Sequence, residues 1–260
     1  MLPERCAIVC FSPTGSTRKL AEAVARGAGL ATITHDCTLP GQRRVPAALG
    51  PDDLVILAAP VYFGRVQEHA AACFAGLTGQ GQPTILLVNY GNRHYDDALL
   101  ELSTISRDRG FIPIAAAAFV SEHSFSTADC PLSPGRPDPA DLDAAVNFGK
   151  RATQSLEQAP RQVLSVPGNF PYKPYPDFHR APVSSQNCGM CGACVEVCPT
   201  AAITLQETVV VTDESRCIVC QACVRNCPEG ARSDVAPGAV ETRQLLIPLV
   251  AEGKESHYLL

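Results

Sequence analysis

Eight of the thirteen cysteines fall into two runs of identical spacing. Cys188, Cys191, Cys194 and Cys198 form the first; Cys217, Cys220, Cys223 and Cys227 form the second. Each run reads C-x2-C-x2-C-x3-C-P, closed by Pro199 or Pro228, and each cysteine of the second lies 29 residues after its counterpart in the first. A repeat of thiols at metal-ligand spacing constrains the fold strongly, because the chain between must bend until the sulfurs converge. Two other uses of cysteine compete. A disulfide framework belongs with a secretory signal, and no small-residue cleavage site follows a signal-like segment after Met1. Zinc sites lack the third cysteine at a two-residue step and the Cys-Pro ending.

An iron–sulfur cubane has four irons, and each needs one thiolate. Three cysteines at two-residue steps wrap one cluster, and in the two-cluster pattern the fourth ligand comes from the other run. Cys188, Cys191, Cys194 and Cys227 are therefore expected to hold cluster 1, and Cys198, Cys217, Cys220 and Cys223 cluster 2, both [4Fe–4S]. Over roughly residues 180–235 the sequence resembles the bacterial two-cluster ferredoxins. Ala201–Leu205 and Val209–Thr212 read as a small hairpin over the clusters.

The first 150 residues follow another pattern. Arg5–Phe11 reads as a buried strand, and RKLAEAVARGAGL after Thr17 has helical spacing, with Gly27 and Gly29 at its end. Between them, Ser12, Thr14, Gly15, Ser16 and Thr17 form a hydroxyl-rich turn at a helix N-terminus, where unpaired N–H groups and the dipole favour an anion. The turn has no lysine, so it is not a Walker loop. Leu30–Thr34, Asp53–Ala59, Pro83–Asn89 and Phe111–Val120 read as further strands. Helices are expected over Asp96–Arg109 and Asp138–Gln158. Such alternation implies a parallel sheet, with ligands at the carboxyl ends of the strands.

Over about residues 4–155 the chain resembles the flavodoxins, whose phosphate loop has the form [S/T]-x-T-G-x-T. The resemblance implies FMN, its phosphate on Ser12–Thr17. Its ring would lie between Pro60, Val61, Tyr62, Phe63 and Gly64 on one side and Asn89, Tyr90, Gly91, Asn92 and Tyr95 on the other. Tyr62, Phe63 and Tyr95 are the stacking candidates, since the chain has no Trp. A proline-rich connection after strand five brings His123, Ser124 and Arg136 to the same sheet edge. The other cysteines, Cys6, Cys10, Cys37, Cys73 and Cys130, show no ligand spacing; Cys6 and Cys10 read as buried small hydrophobes.

The expected fold class is α/β: a five-stranded parallel, doubly wound, flavodoxin-like sheet with a small α+β ferredoxin-like domain. The expected units are 1–158 (FMN-binding), 159–182 (proline-rich linker), 183–235 (two clusters) and 236–260 (a C-terminal tail, too apolar to be free and so docked). Phe170, Tyr172, Tyr175 and Phe178 point to a linker packed along one domain. Nearly the whole chain resembles the flavodoxin–ferredoxin fusion proteins often called EFR-type ferredoxins. That resemblance implies an electron carrier with redox-protein partners. The alternative is a flavin-dependent oxidoreductase fed through the clusters, with a closed pocket under the 122–138 loop. No basic stretch tracks nucleic acid, and residues 181–235 carry six acids against three arginines. No apolar run is long enough to enter a membrane, and the cysteine content fits a reducing, cytoplasmic compartment.

Overall fold

The computed structural model describes residues 2–44, 47–156, 164–177 and 179–260. The first part runs β1 (Arg5–Cys10), α1 (Ser16–Ala28), β2 (Ala31–Asp36), β3 (Asp53–Tyr62), β4 (Arg65–Val66), α2 (Glu68–Ala75), β5 (Pro83–Tyr90), α3 (Ala98–Asp108), β6 (Ile112–Val120) and α4 (Pro139–Ser155). Then follow β7 (Val183–Ser184), α5 (Ala193–Glu196), β8 (Ile203–Leu205), β9 (Val210–Thr212), α6 (Ala222–Arg225), β10 (Arg232–Ser233), α7 (Pro237–Val250) and β11 (His257–Leu259).

Strands pair in the order β2-β1-β3-β5-β6, all parallel. With the hairpin strand β4 set aside, this is the 2-1-3-4-5 order of the flavodoxin-like sheet. β3 and β5 are buried on both faces, which explains their unbroken apolar runs. One face packs Leu20, Phe119 and Phe148 under α1 and α4; the other packs Phe11, Phe74 and Leu99 under α2 and α3. Gly27 does not mark a helix end. It lies inside α1, where a Cβ would stand 1.9 Å from the Val146 carbonyl oxygen; Gly149 faces Val24 in the same way at 2.0 Å. The two helices thus touch backbone to backbone.

The sheet gains two antiparallel strands beyond the expected five. β4 folds back on β3, and β11 pairs with β6. β6 would otherwise leave a row of unpaired N–H and C=O groups at the sheet edge; the tail covers it. The tail's apolar residues belong to α7, a helix that the sequence reading did not identify.

Residues 164–177 lie along α3 and β4. Asp97 accepts the N–H groups of Asn169 (2.8 Å) and Lys173 (2.7 Å). Arg65, paired with Glu101, has its guanidinium 4.8 Å from the ring centres of both Tyr172 and Tyr175. Phe170 departs from the expectation: it is 80% exposed, with its ring edge against Tyr172. Phe178, and the expected helix end at Glu157 and Gln158, lie outside the described residues.

The 29-residue repeat is also a repeat of backbone shape. Met190 and Val219 both have positive φ (58° and 47°), as do Gly192 and Gln221 (83° and 62°), which cap α5 and α6. Gln221 is held there by its own side chain, which donates to Asp234 at 3.0 Å.

Candidate functional site

At the carboxyl end of β1, Gly15 caps α1 without a side-chain hydrogen bond, so the first N–H groups of the helix have no side-chain acceptor from the cap. Ser12 Oγ accepts the Arg18 N–H at 3.0 Å, and Thr17 Oγ1 accepts from Asn89 Nδ2 at 3.2 Å. The second bond ties the turn to the end of β5.

A cavity of about 400 Å³ opens between the loops after β3 and β5, and none of Ser12, Thr14, Gly15, Ser16 and Thr17 lines it. Val61, Tyr62, Phe63, Gly64, Tyr90 and Gly91, six of the candidate ring-site residues, line it. Two glycines make the room. A Cβ on Gly64 would stand 2.3 Å from Asp96 Oδ2, and one on Gly91 2.4 Å from His123 Cδ2. Phe63 adopts φ 54° and is 38% exposed, so its ring is not packed core.

The other expected ring-site residues are placed differently. Pro60 and Asn89 pair within the sheet and do not line the cavity. Asn92 is buried and spent on the tail: its Nδ2 donates to the Val250 carbonyl at 3.0 Å, and its Oδ1 accepts the Lys254 N–H at 2.9 Å. The Tyr95 hydroxyl meets His257 Nδ1 at 2.6 Å, and its ring stacks on His94. Arg136 is paired with Asp141, away from the cavity. Sequence reasoning could not place Asn92 and Tyr95, because their partners lie some 160 residues away in the chain.

Arg93 and His94 of the loop after β5 also line it, and the remaining walls come from elsewhere: His123, Ser124 and Phe125; Lys173, Pro174 and Pro176 of the linker; Ile218 and Val219 between the cysteines; and Thr242 and Leu246 of α7. Only His123 and Ser124 among these were flagged by sequence. His123 Nδ1 accepts the Phe125 N–H at 3.1 Å, which leaves Nε2 to carry the proton. Burial, with Arg93 and Arg225 nearby, lowers its pKa to about 4. The unfolded residue binds its proton near pH 6.5, so this histidine's contribution to stability is complete above about 6.5. It falls as the pH drops toward about 4, and levels off below. Histidine NMR is expected to show the Nε2–H tautomer and a midpoint near 4; a midpoint near 6.5 would contradict the burial.

A second, small cavity is lined by Cys198, Cys217, Cys220 and Cys223, together with Ile218 and Val219. These four cysteines are the set expected for cluster 2. Cys198 is brought over because Arg216 donates to the Thr200 carbonyl (2.6 Å) and the Asp213 N–H to that of Ala202 (2.8 Å). Burial, with neighbouring sulfurs, raises the Cys217 thiol to about 11 and Cys220 further. Cys198, Cys220 and Cys223 are buried and Cys217 partly exposed; of the other four, Cys194 is buried, Cys188 and Cys227 are partly exposed and Cys191 is exposed. The second run also returns to the first: β10 pairs with β7, and Glu229 accepts the Gly189 N–H at 2.6 Å. Against the burial, the N–H groups of Arg232, Glu229 and Ala231 hold the Cys227 thiol below its ordinary range. None of the eight is in a disulfide. Among the described residues, no three His, Cys, Asp or Glu side chains converge tightly enough for a single metal ion. A cubane differs in giving each thiolate its own iron.

Ile218 and Val219 line both cavities, one on each side. Tyr62, at the end of β3, is their neighbour on the sheet side. Burial raises its phenol well above the usual value, and nearby Cys220 and Cys217 add to the effect. The junction is fastened by Arg225, which donates to the His123 carbonyl at 3.1 Å, and by Arg43, which donates to the Pro199 carbonyl at 2.6 Å.

Residues 159–231 match the family model described as a 4Fe-4S dicluster domain. No curated protein matches the chain. Among solved structures, a flavodoxin from the domain Archaea is 13% identical, covering 59% of this chain and 99% of its own, with a TM-score of 0.37. A WrbA-like flavodoxin from Agrobacterium tumefaciens is 17% identical, covering 60% and 98%, with a TM-score of 0.39. The rubredoxin oxygen:oxidoreductase of Desulfovibrio gigas is 16% identical, covering 61% of this chain and 38% of its own, at 0.39. The flavodoxin-like fold itself rests on the strand order. No described helix is long and apolar enough to cross a membrane.

Proposed function

We propose that a flavodoxin-like unit and a dicluster segment act here as one electron-transfer protein, relaying electrons between FMN and two [4Fe–4S] clusters, with redox proteins as partners. The observation that carries this reading is the wall that the two cavities share. Ile218 and Val219 face the expected ring site on one side and Cys198, Cys217, Cys220 and Cys223 on the other. When bound, FMN supplies paired or single electron steps and each cluster single ones.

The chain's own residues supply distance and dryness. Two apolar side chains set the separation. His123–Phe125, the linker prolines and Leu246 cover the ring site, so exchange with outside proteins falls to the more exposed set, Cys188, Cys191, Cys194 and Cys227. The phosphate belongs on the N-terminus of α1, and the ring beside Tyr62 and Tyr90.

One observation favours a second reading, the flavin-dependent oxidoreductase. The loop after β6 does roof the cavity, and Arg93, His94 and Lys173 line it. Turnover of a small anionic substrate, with no partner protein present, would support that reading. The relay is tested by anaerobic purification, with iron, sulfide and FMN quantified, followed by a spectroscopic redox titration. About eight irons and one FMN per chain are expected; four irons, or no flavin, would overturn it.

A further inference from the structure

We propose that the segment after α7, residues 250–258, is a strap that positions the loop after β5 for FMN, with Asn92 and Tyr95 as its anchor points. The proposal rests on the flavin reading given above. It adds that the ring site is completed from a part of the chain 162 residues away.

The residues of this loop divide between two tasks. Tyr90, Gly91, Arg93 and His94 line the cavity of about 400 Å³, whereas Asn92 and Tyr95 do not. Those two bond to the strap instead. Asn92 Nδ2 donates to the carbonyls of Val250 (3.0 Å) and Glu252 (3.3 Å), and its Oδ1 accepts the Lys254 N–H at 2.9 Å. The Lys254 ammonium donates to the Asn92 carbonyl at 2.9 Å and to that of Leu249 at 3.0 Å. The Tyr95 hydroxyl meets His257 Nδ1 at 2.6 Å.

The strap has its own anchorage on the sheet. β11 pairs with β6, Ser256 Oγ accepts the Val120 N–H at 3.2 Å, and Arg136 donates to the Lys254 carbonyl at 3.3 Å. Asn92 has φ 61° and is 1% exposed. A non-glycine residue at positive φ is kept there by its surroundings, and here the whole side-chain amide of Asn92 is engaged by the strap. Gly91 beside it has no side chain with which to hold the loop, and no room for one. Thr242 and Leu246 of α7 line the same cavity, so wall and strap are one continuous stretch of chain.

The coupling is reciprocal. A docked strap holds the loop in the shape that receives the ring, so bound FMN favours the docked strap by the same factor. The side-chain bonds between Asn92 and the strap, at the net strength of ordinary hydrogen bonds, put that factor at roughly tenfold.

The test dilutes the anaerobic holoprotein and reads released FMN by its fluorescence. Asn92→Gly keeps the left-handed turn open to the backbone but removes the bonds to the strap. Its FMN Kd is expected to rise roughly tenfold, and that of Tyr95→Phe by less, with iron and sulfide contents unchanged. In the wild-type protein, excess FMN should slow hydrogen exchange in the peptide 251–260 by a similar factor, a response that a strap serving stability alone would not give. The proposal is overturned if Asn92→Gly binds FMN as tightly as the wild type, or if exchange in 251–260 is indifferent to FMN. A wild-type protein that binds no FMN would overturn the flavin reading together with it. The wild-type exchange measurement decides where a variant does not fold.

Discussion

Cys198→Ala is expected to lower the iron content by about half while FMN is retained, and to break electron exchange between the flavin and the remaining cluster. Cys198 closes the first run in sequence, yet it shares a cavity with Cys217, Cys220 and Cys223. Its sulfur is buried and accepts the Ala202 N–H at 3.3 Å, which fixes it on that side. Loss of this ligand should empty the site next to Ile218 and Val219. Cys227→Ala is the matched control. It should also lose about half of the iron, but from the exposed set, so that photoreduced flavin still passes an electron onward. The reverse pattern, with transfer kept in Cys198→Ala and lost in Cys227→Ala, would show that each run ligates its own cluster. FMN content guards against misreading a folding failure, because the sheet has its own core whereas the strands of the cluster region are two or three residues long.

The legible parts of this protein were those in which chemistry repeats or alternates locally. Continuous apolar runs gave the central strands, and the repeat gave the cysteine grouping now found around one cavity. The illegible parts depend on contacts distant in sequence. α2 is eight residues long, and its N-terminus is capped by Gln67, whose Oε1 accepts from His69 and Ala70; Gln is not among the usual caps. β11 is three residues that become a strand only because β6 offers an edge. The wall of Ile218 and Val219 lies in plain view between Cys217 and Cys220. Nothing in the sequence says that its far side meets Tyr62 and Tyr90. Which cluster site faces the expected flavin site was therefore open until the junction was seen.

Arg232→Gln is expected to lower the reduction potential of the inner cluster by roughly 90 mV. Arg232 is 3% exposed. It donates to the hydroxyls of Thr212 (2.9 Å) and Ser184 (3.2 Å) and approaches Cys223 Sγ at 3.7 Å, while its Nε has no partner. Burial, with neighbouring sulfurs, raises the thiols of Cys223 and Cys194; the same guanidinium opposes the rise at both, so its charge is felt by one cysteine of each expected cluster. A positive charge beside a site that gains an electron stabilises the reduced state. At an effective dielectric of about 20 and a separation of roughly 8 Å the Coulomb energy is about 2 kcal/mol. For a one-electron step, 59 mV corresponds to a tenfold change in equilibrium, which gives the figure above. Arg232→Lys should recover part of the shift, since charge returns without the fork that reaches Thr212, Ser184 and Cys223. Redox titration with iron content held equal between variants is the measurement. Unchanged potentials in Arg232→Gln would mean that the arginine only braces β10 against the hairpin.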